Sequence, residues 1–140
     1  MLKLSADAAS YAESGFDMVR AAHPASPLDA LFAAATAMTQ HMGTPEELAN
    51  SLAFLQIDIT DPEFHRHTLE MSKKHLAGYK RLLKDAVAAG ELKPHDTTRM
   101  ARAVNALSSG SLITWAILRE GSAEKWVRRD IETLLAPYRS

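Results

Sequence analysis

Apolar residues along this chain recur every three or four positions, the spacing of one face of an α-helix. The pattern predicts about six helices, and LQIDIT (55–60) is the one strand-like stretch. The first helix is expected over Ala6–Ala22, with Ala8, Tyr11, Met18 and Val19 as its stripe. It stops before His23-Pro24, because a proline disfavours helical geometry in the residue ahead of it. Gly15 weakens its middle by about 1 kcal/mol relative to Ala. Ser26-Pro27 opens a second helix that buries Leu28, Leu31, Phe32, Ala35 and Met38 and stops at Gly43. Thr44-Pro45-Glu46-Glu47 opens a third in the same way, with Glu47 placed for a capping box and Leu48, Leu52 and Leu55 as the stripe.

The longest element follows. Asp61-Pro62-Glu63 supplies a cap, a first-turn proline and an acid at the positive end of the helix dipole. The helix runs to about Ala89, close to 40 Å at 1.5 Å per residue. One face carries Phe64, Thr68, Met71, His75, Tyr79, Leu82 and Ala86; a neighbouring stripe carries Leu69, Leu76, Leu83 and Val87. Gly90 ends it in the left-handed manner, with Leu92 placed to fold back on the last turn. A fifth helix, capped by Asp96, runs to about Glu120, with Met100, Val104, Leu107, Ser111, Thr114 and Leu118 in one line. Beside that line lies a strip of small residues, Ala103, Ala106 and Gly110. After a break at Gly121-Ser122, a sixth helix runs from Ala123 to about Ala136 with Trp126, Val127, Ile131, Leu134 and Leu135 inward. The expected fold is therefore all-α, an antiparallel helical bundle, and residues 1–140 fit one domain.

Composition narrows the picture. A chain of 140 residues buries roughly 68–70% of its unfolded surface, enough for a core without staples. It has no cysteine, which removes disulfides and thiolate metal sites and agrees with a reducing, cytoplasmic setting. Every apolar run is short, so no membrane span and no signal peptide are read. Sixteen basic and 17 acidic residues leave a formal net charge of −1, which gives no strong field for DNA.

The order DPEF, a long helix, AAGELKP, an Ala-rich helix (ARAVNALSSGSLITW) and a shorter terminal helix (KWVRRDIETLLAPY) resembles the C-terminal domain of TetR-family transcriptional regulators. The likeness is clearest from about Leu52 to Tyr138, in the AAGEL turn, the small-residue spacing from Asp96 to Gly110 and the final LL-x-P. The resemblance implies a ligand-responsive homodimer in which the last two helices of each subunit pack as a four-helix bundle. It assigns Ala103, Ala106, Leu107, Gly110, Trp126, Val127, Ile131 and Leu134 to that interface. Small residues let helix axes approach closely, and Trp126, Ile131 and Leu134 are the kind of anchor that dominates interfaces. The family's three-helix DNA-binding part has no counterpart ahead of Ala6. The expectation is that these residues belong to a longer regulator, or else form a stand-alone effector domain, and that operator DNA is reached only through an N-terminal domain absent here.

Such a regulator needs a mostly apolar cavity between helices with a few polar groups to orient a small-molecule effector. His75 and Tyr79, four apart on the long helix, share a face, with Met71 one turn earlier. Asn105, Thr114 and Trp115 lie near the inward lines of the fifth helix; Met38, Met42 and Phe54 are placed as the opposing wall. These wall residues favour an apolar or aromatic effector with one or two polar groups. The same residues also fit plain core packing, in a dimerisation module without a ligand. His65-x-His67 points its rings to different faces, and Glu63 with His67 lacks a third ligand, so no metal site is read; no cofactor is read either. Lys73, Lys74, Lys80, Arg81 and Lys84 fit a solvated helix surface. Ser108-Ser109-Gly110-Ser111 is not a nucleophile elbow, since no strand precedes it. An enzyme using His75 and Tyr79 as acid and base is the weakest alternative.

Overall fold

A computed structural model describes residues 14–140, and the expected stripe residues Ala8 and Tyr11 lie outside them. All of its regular elements are helical: α1 (14–22), α2 (Pro27–Ala37), α3 (Thr39–Met42), α4 (Pro45–Thr60), α5 (Pro62–Ala88), α6 (Thr97–Leu118) and α7 (Ala123–Leu135), then a 3-10 turn at Ala136–Tyr138. The chain is all-α, as the periodicity predicts.

The helix starts are side-chain capped as read from the sequence. Ser26 Oγ accepts from the Asp29 amide at 3.1 Å, Thr44 Oγ1 from Glu47 at 3.1 Å, and Asp96 Oδ1 from Arg99 at 3.1 Å. Asp61 Oδ1 takes two amides, Glu63 at 3.0 Å and Phe64 at 3.3 Å. Each satisfies a donor that the first helical turn leaves without a partner. Gly90 ends α5 at φ +79°, and the Glu91 and Leu92 amides turn back to the Ala86 carbonyl. Leu92 is thereby buried at 2% exposure.

Three expectations are corrected. The second helix is not continuous to Gly43. It divides at Met38, because the Thr36 hydroxyl bonds the Phe32 carbonyl and the Thr39 hydroxyl claims the Thr36 carbonyl, which disturbs the ladder at that turn. The strand-like LQIDIT continues α4, closed by the Asp61 amide on the Ile57 carbonyl at 2.9 Å, and of the expected stripe Leu48 is buried while Leu52 and Leu55 are exposed. Finally, Phe16 is the buried residue of α1 and Met18 stands 71% exposed, whereas Val19 packs half-buried against the core as expected.

Helix α6 lies between α5 and α7, and α2 crosses onto α5 and α7. Their meeting faces form one core around Leu31, Phe32, Leu82, Leu83, Val104, Leu112, Val127 and Ile131. The two halves of the molecule differ in packing. From residue 79 to 135 each of α5, α6 and α7 contributes fully buried side chains, whereas none of residues 49–78 is buried. In α4 only Leu48 is buried, and Leu52, Phe54, Leu55, Ile57 and Ile59 are exposed.

The α5–α6 turn ties distant segments together. The Glu91 carboxylate accepts from Ser26 Oγ at 2.5 Å and from the Leu28 amide at 3.0 Å, so it completes the cap of α2 from 65 residues away. On the other side of the turn, the Lys93 amide donates to the Tyr138 carbonyl at 2.7 Å and the Ser140 amide to the Glu91 carbonyl at 3.2 Å. Glu91→Ala is expected to lose about 1–3 kcal/mol by leaving a half-buried hydroxyl and an amide unpaired, measured by urea denaturation.

Candidate functional site

The residues singled out on α5 do share a face, and that face is occupied from within the chain. Met71, His75 and Tyr79 follow one another at four-residue spacing, and the ring of Phe16 from α1 sits between His75 and Tyr79. Its centroid is 5.8 Å from His75 at an interplanar angle of 77°, and 5.1 Å from Tyr79 at 89°. Both contacts are edge-to-face, the preferred aromatic geometry. The floor beneath the ring is Gly78. A Cβ built there would lie 2.5–2.6 Å from three Phe16 ring atoms, so only glycine admits the ring at this depth. An isolated glycine in a helix interior costs about 1 kcal/mol relative to alanine and signals a packing reason.

The polar groups of this face have assigned partners. His75 Nδ1 donates to the Met71 carbonyl at 3.0 Å, since a carbonyl only accepts, and Nε2 is left as the acceptor nitrogen. The Tyr79 phenol is fully buried and hydrogen-bonds Ser108 of α6, whose Oγ donates to the Val104 carbonyl at 2.8 Å. Burial pushes the Tyr79 phenol up to about 12, partly offset by the Ser108 bond. A phenol held this way stays neutral at any physiological pH and is unsuited to act as a base.

The other expected ligand residues are scattered. Met38 and Met42 are partly buried against the core, but Phe54 is 58% exposed on α4. Asn105 is half-buried. Thr114 faces solvent and bonds the Gly110 carbonyl of its own helix at 3.0 Å. Trp115 is buried, with its indole N–H donated to the Gly121 carbonyl at 2.9 Å; Trp126 donates likewise to the Glu120 carbonyl. Beside these carbonyls a surface cleft of about 200 Å³ is lined by Glu120, Gly121, Lys125, Trp126 and Arg129, away from the α5 face.

The expected interface residues fall into three groups. Val127 and Ile131 have 0% exposure inside one protomer, so they can back an interface but have no surface to give it. Ala103, Leu107, Trp126 and Leu134 are half-buried against the core, and Ala106 and Gly110 are exposed. Sequence reasoning missed Ile113 and Ile117, which extend the Ala106–Gly110 line along α6 at 41% and 75% exposure. Among the described residues no group of three or more metal-ligating side chains comes together, and no helix is long and apolar enough to cross a membrane. Of the basic stretch on α5, Arg81 pairs with Asp17 at 3.0 Å at the surface.

The chain is all-helical, with a long central helix, a glycine-stopped turn and a terminal helix pair whose outer face is apolar. The family described as the AefR-like transcriptional repressor C-terminal domain matches residues 29–140, and the chain belongs to this family of TetR-type C-terminal domains. That membership points to a regulator of transcription rather than to a catalyst. No characterised protein and no solved structure matches the chain.

Because the unfolded tyrosine loses its proton first, near pH 10, stability held through Tyr79 is full below that pH and falls as pH rises toward about 12. Tyr79→Phe is expected to cost about 1 kcal/mol at neutral pH through the lost hydrogen bond. Its deficit against the parent closes as pH climbs past about 10, a trend that urea unfolding at stepped pH measures.

Proposed function

We propose that this chain is the effector-binding and dimerisation part of a transcriptional repressor. The observation that carries the reading is the outer face of α6, where Ala106, Gly110, Ile113 and Ile117 present small and apolar side chains to solvent beside α7. The matching family supplies a use for such a face: pairing with a second copy about a two-fold axis, in which the same patch meets itself. The small residues let two α6 axes approach closely, and the isoleucines supply apolar area.

The effector end is assigned to the α4–α5 half. Its residues 49–78 contain no fully buried side chain, and its apolar groups are half-exposed. Elements of low local packing are those that move or bind. The half-buried Phe64, Met71 and His75 favour a small apolar or aromatic effector with one polar group. The effector acts by preferring one of two arrangements of the domain. Operator contact is assigned to a helix-turn-helix outside these residues, since their net charge is −1.

Sedimentation velocity at micromolar concentration is expected to show a dimer. The pair Ile113→Glu and Ile117→Glu is expected to raise its dissociation constant by about tenfold or more with helicity unchanged by circular dichroism. A thermal-shift screen of apolar and aromatic compounds tests the other half: an effector at a hundredfold excess over its dissociation constant adds about 2.7 kcal/mol. A monomer under these conditions would contradict the reading.

A further inference from the structure

We propose that the cradle of His75, Gly78 and Tyr79 on α5 is a binding site for a single aromatic ring, and that Phe16 of α1 occupies it in competition with the effector. The proposal rests on the reading of the chain as an effector domain and gives that effector a chemical class and a mode of action.

The cradle is built for a flat ring. Its floor is the bare backbone of Gly78, and its two walls are aromatic rings at 77° and 89° to the ring they hold. Edge-to-face pairs contribute about 0.5–1.5 kcal/mol each beyond the area they bury, and an aliphatic group gains none of this. The imidazole adds one polar preference: with Nδ1 committed to the Met71 carbonyl, Nε2 accepts. A ring bearing a hydroxyl or N–H donor therefore suits the site better than a bare hydrocarbon.

Phe16 is the one fully buried anchor among the described residues of α1, and Met18 is exposed. Among the described residues, two ion pairs help dock α1 on α5, Arg20–Asp85 at 3.1 Å and Arg81–Asp17 at 3.0 Å. Both are at least partly solvent-exposed, and such pairs contribute about 0–1 kcal/mol each. Among the described residues of α1, this ring in its notch is the one fully buried contact, with Val19 packing half-buried beside the core.

The cradle also lies at the boundary between the two halves of the molecule. Beyond Tyr79, Leu82 and Leu83 are fully buried and close the core. One turn before His75 the same face carries Met71, half-buried, in the stretch where no side chain is fully buried. A ligand ring approaching from that end meets loosely packed apolar side chains, and on entering the cradle it displaces Phe16. Helix α1 then loses the one fully buried anchor among its described residues and is released from α5. Effector binding becomes movement of α1 without any change in the α5–α6–α7 core.

Competition of this kind lowers apparent affinity by the fraction of molecules with the cradle free: if Phe16 is out in about 1% of them, affinity falls about a hundredfold. The experiment uses the full chain, phenol as probe and cyclohexanol as a non-aromatic control of similar size. Calorimetry gives affinity, and hydrogen exchange follows residues 14–22 against α6. Phenol is expected to bind the parent chain, outcompete cyclohexanol and lower protection across 14–22 while protection in α6 holds. Phe16→Ala is expected to bind phenol at least about tenfold tighter. If that variant loses helicity by circular dichroism, Phe16→Leu, which keeps bulk without the ring, serves in its place. Gly78→Ala is expected to do the reverse: it fills the notch, frees α1 without ligand and weakens phenol binding.

The proposal is overturned by phenol binding that leaves 14–22 protected, by equal affinity for cyclohexanol, by a Phe16 variant no tighter than the parent, or by no phenol binding to parent and variant alike. An effector from the thermal-shift screen that stabilises the dimer with 14–22 still protected would refute this site and leave the effector reading standing. A chain that is monomeric and unresponsive to the whole screen would refute both.

Discussion

Two serine hydroxyls on α6 tie that helix to two of its neighbours in the core. Ser108 and Ser111 are fully buried, and a buried hydroxyl without a partner is costly. Ser108 meets Tyr79 of α5 on one side, and Ser111 donates to Asp130 of α7 at 2.5 Å on the other. One helix thus holds a neighbour on each side through side chains three residues apart. Sliding α5 or α7 along α6 by one turn would strand a buried phenol or a carboxylate. The apolar side chains around these bonds supply most of the stabilisation; the hydroxyls choose the register in which it is obtained.

That fixed register explains why the molecule has two kinds of interior. Around Tyr79, Ser108 and Ser111 the helices are drawn together and their apolar side chains are excluded from water. Towards the N-terminal half of α5 no side chain is fully buried, and α4 rests against its neighbours with Leu48 as its one buried side chain. A uniformly tight bundle would leave a ligand nowhere to enter without disrupting the core, and a uniformly loose one would not hold a fixed outer face on α6. Segregating the two properties along one long helix gives the domain a stable end and an adaptable end, with the Phe16 cradle between them.

Much of this was legible in the sequence. Ser26, Thr44, Asp61 and Asp96 announce helix starts, Gly90 and Leu92 announce a reversal, and each does so through local chemistry that tertiary packing leaves intact. The stripe on α5 was also legible, because its length averages over local irregularity. What was missed depends on partners distant in the chain. Periodicity placed Val19 inward correctly and Met18 wrongly; Phe16 is seated instead in the gap at Gly78, some sixty residues away. The pairing of a phenylalanine on a short amphipathic helix with a lone mid-helix glycine was the available signal. Burial depth was equally hidden: Val127 and Ile131 read as inward correctly, yet pattern alone does not say whether inward means their own core or a partner's surface. The break at Met38 arises from hydroxyls on Thr36 and Thr39 that a continuous apolar face disguises.

The carboxylate of Glu91 carries a consequence for how the chain assembles. Helix α2 is started by a local cap at Ser26, but that cap is finished by a residue supplied after the whole of α5 has been laid down. The same turn receives the last residues of the chain through main-chain bonds. Three regions far apart in sequence therefore reach their final state together, and loss of any one loosens the other two. Nonlocal closure of this sort slows folding, and the stable end of the domain should melt as one cooperative unit while the adaptable end fluctuates independently.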